Sequence, residues 1–181
     1  MSNFPAAGVY NVDNTHSNIG FIVRHLVVSK VRGSFSDFAG VITIGDTPES
    51  SSVTATVQAT SVTTHNEQRD GHLKSSDFFD LENHPTLTLV STAFTAKGDN
   101  EYVLTADLTI RGVTKSVDFD VEFTGATASY MPGVTVIGFE AKTSIDRRDF
   151  GVNFENTLEN GTAVVSHKVE LVFEIEAASQ A

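Results

Sequence analysis

The sequence predicts an all-β fold, a closed antiparallel barrel of about eight strands with one short, partly helical connection. Apolar residues alternate with polar ones along five separate runs, turn residues stand between the runs, and one internal segment breaks the rhythm. Alternation with period two puts apolar side chains on one face and polar ones on the other. That is the mark of a half-buried antiparallel strand.

Ile19, Phe21 and Val23 open the series. Val53, Ala55, Val57 and Ala59 follow, then Tyr102, Leu104, Ala106, Leu108 and Ile110. The run Val117, Phe119, Val121, Phe123 is the cleanest, with Asp118, Asp120 and Glu122 between its members. Val169, Leu171, Phe173 and Ile175 close the series against Glu170, Val172, Glu174 and Glu176. Gly45-Asp46-Thr47-Pro48, Gly98-Asp99-Asn100, Arg111-Gly112, Pro132-Gly133 and Asn160-Gly161 supply turns. These spacings suit a sandwich or a barrel, and the long acidic faces favour a barrel wetted outside. Roughly eight strands enclose either packed side chains or one small ligand.

Residues 66–80 show no alternation. Asn66 is placed to cap a short helix through Asp70, and Ser75 or Ser76 a further turn around Asp77-Phe78-Phe79. Long connections in compact domains often serve function, and this one is positioned to lid one barrel end.

The length of 181 residues fits one domain, 1–181. Thirteen Phe and no Trp make the interior dry, because Phe carries no polar atom to satisfy. A net charge of −11 excludes a nucleic-acid binder, which needs a basic footprint, and speaks against an anionic membrane surface. The absence of cysteine excludes disulfides, thiolate catalysis and Cys-based zinc sites. No stretch approaches the ~20 apolar residues of a membrane span, so no stable membrane insertion is expected. The opening run has neither a basic n-region nor an apolar h-region, and the expectation is a cytoplasmic protein.

Six histidines, His16, His25, His65, His72, His84 and His167, form no recognised ligand pair, so no metal is expected. Asp13-x-x-His16-Ser17 reads as an ordered turn rather than a triad, because no nucleophile elbow frames it. No glycine-rich phosphate loop is present, and no cofactor is expected. Basic residues at strand ends and loops suit ordinary ion pairs, or a partial ring meeting a ligand head.

Four blocks in these segments resemble the YceI-like, polyisoprenoid-binding family. They are Asp13 to Phe21 running on through Arg24-His25-Leu26 and Val31 to Gly40; Ser61 to Thr64 with Arg69 to Asp80; Leu108 to Lys115; and Ile145 to Gly151. They run in family order over nearly the whole chain. The resemblance implies a lipocalin-like barrel that carries or stores a polyprenyl lipid, or the tail of an isoprenoid quinone, without catalysis. It also allows a homodimer.

With the alternating faces, it nominates lumen residues: Phe21, Val23, Phe35, Phe38, Phe78 and Phe79, then Leu108, Phe119, Val121, Phe123, Phe139 and Phe150. Arg24, His25, Arg69, His72 and Arg147 are the head-group candidates. Two other readings stand beside it. One is an enzyme working on a lipophilic substrate at the barrel mouth through His16, Arg69, Asp70 or His72, which requires convergence on one pocket. The other is a filled barrel with a stress or interaction role.

Overall fold

The computed structural model describes residues 4–179. Three bent staves begin the barrel. In the first, β1 (Gly8–Val12) and β2 (Asn18–His25) lie end to end along one long neighbour, β11 (Val165–Ser179). In the second, β3 (Ser29–Phe35) pairs with β2 and β4 (Phe38–Ile44) with β1. In the third, β5 (Ser52–Gln58) pairs with β4 and β6 (Val62–Thr63) with β3. The meander continues through β7 (Thr86–Ala96), β8 (Glu101–Ile110), β9 (Val113–Ala128) and β10 (Thr135–Asp146) to β11. Pairing of β1 with both β4 and β11 closes the ring, so the eleven strand segments form an eight-strand antiparallel barrel. Closure runs through β1, while β3 over Ser29–Gly33 is paired only with β2, and β6 only with β3.

The alternation behaves as the pattern demands. On β9, Phe119, Val121 and Phe123 are buried while Asp118, Asp120 and Glu122 are exposed. Burying one such phenylalanine contributes roughly 1.5–3 kcal/mol. The β8–β9 turn, Arg111-Gly112, has positive φ at both residues, 51° and 71°. That twist suits a two-residue hairpin, and glycine takes it without strain. Gly33 faces Phe21 across β2–β3, and a Cβ there would collide with the phenyl ring lying over it.

The irregular segment folds as α1 (Glu67–Lys74) with a coiled continuation to β7. Asn66 caps it, its side chain accepting from Arg69 N at 2.9 Å. No helix among the described residues is long and apolar enough to cross a membrane.

Candidate functional site

Inside the barrel lies an apolar cavity of about 260 Å³. That approaches the lower end of small-molecule pockets, ~300 Å³. Ile19, Phe21 and Val23 of β2, Ile42 and Ile44 of β4, and Val53, Ala55 and Val57 of β5 form one side of it. Phe173 and Ile175 of β11 and Leu87 and Leu89 of β7 flank that side. Ala55 is a small inward position on this side; paired with it on β4, Gly40 lets Val12 pack close, since a Cβ there would meet the Val12 methyl at 2.9 Å.

One barrel end is covered by two connections. Leu73, Phe78 and Phe79 come from the α1 connection, and Arg147, Phe150 and Val152 from the link between β10 and β11. The two meet in an aromatic group, where the rings of His72, Phe78 and Phe154 lie 5.0 Å apart, centre to centre. Arg111 Nη1 donates to the carbonyls of Ser76 at 2.6 Å and Phe78 at 2.7 Å, which ties the α1 connection to the β8–β9 turn.

Arg147 is the only charged side chain lining the cavity among the described residues, and it is 5 % exposed. Its guanidinium donates to the carbonyls of Val152 at 2.6 Å, Ser166 at 3.1 Å and Val165 at 3.5 Å. The nearest carboxylate oxygen, on Glu155, is 3.8 Å away. Burial pushes its pKa below the usual arginine value, opposed by Glu155 and Asp146, yet an arginine remains a cation under these conditions. A cation held by neutral carbonyls beside an apolar tube attracts a negative or carbonyl-rich group. His167 Nε2 lies 2.7 Å from the same Glu155 oxygen, in a geometry too bent to count as a hydrogen bond.

Of the twelve lumen candidates, ten line the cavity; Phe119 and Phe123 do not. Phe119 is fully buried against Phe173, with ring centres 5.5 Å apart. Phe123 packs beside Phe139 at 5.3 Å. Both are buried on the inward face, each packed against a ring that does line the space.

Four head-group candidates stay outside the lining. Arg24 is exposed on the outer face of β2 and donates to Val27 O at 3.3 Å. His25 ends β2 beside Val165 without reaching the cavity. Arg69 spends its guanidinium on Thr64, through Oγ1 at 2.7 Å and the carbonyl at 2.9 Å. His72 contacts Asp77 at 2.7 Å. Asp70 accepts from Thr64, backbone and hydroxyl. Burial opposes its ionisation, but the hydrogen bonds from Thr64 and Thr63 and the charge of Arg69 outweigh that, and its pKa falls below the carboxylate norm.

His16 sits at the β1–β2 turn, 2.8 Å from Asp13 and 3.7 Å from Glu176. The Asp13 hydrogen bond raises its pKa and lowers that of Asp13. Thus Arg69 and Asp70 share one corner at Thr64, His16 and His72 serve separate turns, and none of the four lines the cavity.

Sequence reasoning missed Ile42, Ala55, Leu89, Phe173 and Ile175 as cavity lining. The alternation of β5 and β11 already marked Ala55, Phe173 and Ile175 as inward-facing.

The family model for the YceI-like domain matches residues 10–177. The chain belongs to the YceI-like family. A UPF0312 protein of Staphylococcus epidermidis (strain RP62A) is 40% identical over 163 residues, covering 89% of this chain and 92% of that protein. A second, from Staphylococcus aureus (strain MW2), is 39% identical over the same coverage. This YceI-like barrel superposes on the Campylobacter jejuni YCEI protein with a TM-score of 0.75 at 28% identity, covering 100% of both chains. Two more distant structures share the fold. Burkholderia cenocepacia BcnA has a TM-score of 0.76 at 22% identity, over 91% of this chain and 98% of that one. A polyisoprenoid binding domain from Saccharophagus degradans has a TM-score of 0.69 at 16% identity, over 97% of this chain and 100% of that one.

Proposed function

We propose that this YceI-like barrel, taken as one domain over residues 1–181, binds a single long-chain isoprenoid lipid for storage or transport. The apolar tail, of a polyprenyl lipid or a quinone, occupies the cavity, and its polar head lies toward Arg147. The observation that carries this reading is an apolar cavity with one buried cation at its covered end. A fold shared with a polyisoprenoid binding domain supports it.

The energetics suffice without a strong polar anchor. Enclosing a CH₂ is worth about 0.8 kcal/mol, so a five-carbon isoprene unit offers up to roughly 4 kcal/mol before ordering costs. Two or three enclosed units then reach about micromolar affinity, near −8 kcal/mol. A lipid pool in the cytoplasm and a homodimer belong to the same proposal, and cell fractionation and size exclusion test them.

Native mass spectrometry of protein purified without detergent tests the central claim. A retained or added polyprenyl or quinone lipid should appear as a one-to-one complex. Delipidated protein that takes up neither lipid class would overturn the reading.

A further inference from the structure

The β2–β3 hairpin carries two local costs that the fold itself does not require. Its tip, Leu26-Val27-Val28, has φ of +52° at Leu26 and +66° at Val27. A β-branched residue in the left-handed region is strained, whereas the β8–β9 turn meets the same demand with Gly112. Just below the tip, Arg24 and Lys30 stand directly opposite one another in the ladder. Like charges in that position are destabilising. Strain that persists at one site points to a use for it.

The hairpin's composition is unusual for this chain. No acidic residue occurs between Asp13 and Asp37, a stretch containing Arg24, Lys30 and Arg32, although the protein as a whole carries −11. All three are exposed. Lys30 has Glu170 at 3.9 Å; Arg24 and Arg32 meet no carboxylate within ion-pair distance among the described residues. Val27 is 65 % exposed and Val28 83 %. Two adjacent exposed apolar side chains thus sit at the tip of a hairpin whose outer face carries three cations.

The opposite barrel end has its own apolar tip, at Tyr130 and Met131, 97 % and 48 % exposed. It lies in a stretch with no Lys or Arg from 116 to 141 and with Asp118, Asp120, Glu122 and Glu140 along its strands. Of these two tips, the β2–β3 tip alone pairs apolar side chains with positive charge among the described residues. It also adjoins the cavity. Leu26 N donates to Val164 O at 2.9 Å, and the next residue along β11, Val165, lines the cavity together with Val23.

We propose that the β2–β3 hairpin docks the protein on an anionic lipid bilayer, with Val27 and Val28 entering the interface and Arg24, Lys30 and Arg32 meeting the headgroups. The net negative charge does not prevent this at ordinary ionic strength. Screening over a Debye length of about 10 Å at 0.1 M hides the distant acidic faces, while the hairpin's cations lie at the surface. Docking needs no cargo, so it stands or falls separately from lipid binding in the cavity.

Vesicle flotation of the delipidated protein tests it. Vesicles of phosphatidylcholine and phosphatidylglycerol in equal parts should carry the protein upward at 0.1 M salt, and vesicles of phosphatidylcholine alone should not. Each cation removed should weaken binding about fivefold, so Arg24→Gln with Arg32→Gln should cost roughly 25-fold. Val27→Ser with Val28→Ser should also release the protein, while Tyr130→Ser at the far tip should not. Circular dichroism checks that each variant is folded. Wild-type protein that ignores both vesicles overturns the proposal, as do hairpin variants that float like wild type. Loss of a dimer in the hairpin variants, with no vesicle binding by the wild type, would assign the tip to a second copy instead and likewise overturn it.

Discussion

Across the barrel from one another, β9 turns Phe119, Val121 and Phe123 inward, while β4 and β5 turn Gly40, Ile42, Val53 and Ala55 inward. Both walls obey the same period of two. The β9 wall is nearly closed: Phe119 is fully buried against Phe173, Phe123 packs beside Phe139, and of the three only Val121 reaches the space. The β4–β5 wall leaves space, with an alanine, Ala55, where β9 carries rings. Protein interiors are normally close-packed, and an unfilled space forfeits dispersion contacts along its lining. The β9 side therefore contributes mainly packing, and the β4–β5 side contributes room.

Breaking the β9 wall should have the largest effect. Phe119→Ala should lower unfolding free energy by about 3–5 kcal/mol, read by denaturant titration. Filling the hollow wall should do the reverse to function. Ala55→Phe should cost about 1–3 kcal/mol of stability at most and abolish the lipid-bound species in native mass spectra. Equal uptake by that variant would mean that the cavity is not the lipid site.

The contrast sharpens at the covered end. Arg147→Met keeps an apolar stem but leaves the carbonyls of Val152, Ser166 and Val165 without their donor. It should destabilise by about 1–3 kcal/mol. Competition between lipids that share a tail should then lose its preference for an anionic or carbonyl-bearing head.

The smallest effect belongs to the neighbouring pair. Arg148 grips Asp146 through two nitrogens, at 3.0 and 2.6 Å, and holds that carboxyl at about 2 against a usual 3.8. Because the folded value is depressed, the stabilisation is complete above about pH 4 and fades as pH falls toward 2. The pair is partly exposed, so it contributes under about 1 kcal/mol. Asp146→Asn, which retains an acceptor for the Arg148 amide, should flatten the melting temperature across that acid range.

The barrel was legible in the residues because each strand reports its own inward face. Phe119 shows the limit of that signal. Alternation marks it as inward, but whether it meets empty space or the ring of Phe173 depends on β11, far away in the chain. A basic residue's letter does not say whether its charge will be exposed, paired or buried. Arg24, Arg69 and Arg147 look equivalent as letters, and burial separates them only after the connections fold.

The sequence by itself determined the strand pattern, the dry aromatic interior and a helical connection opened by Asn66, since these follow from local propensity and a period of two. Which phenylalanines are wall and which are lining, and that Arg147 alone of the arginines reaches the cavity among the described residues, emerged when the strands closed into the barrel. Those outcomes depend on volumes and partners contributed by strands distant in sequence, and no local pattern encodes such a sum.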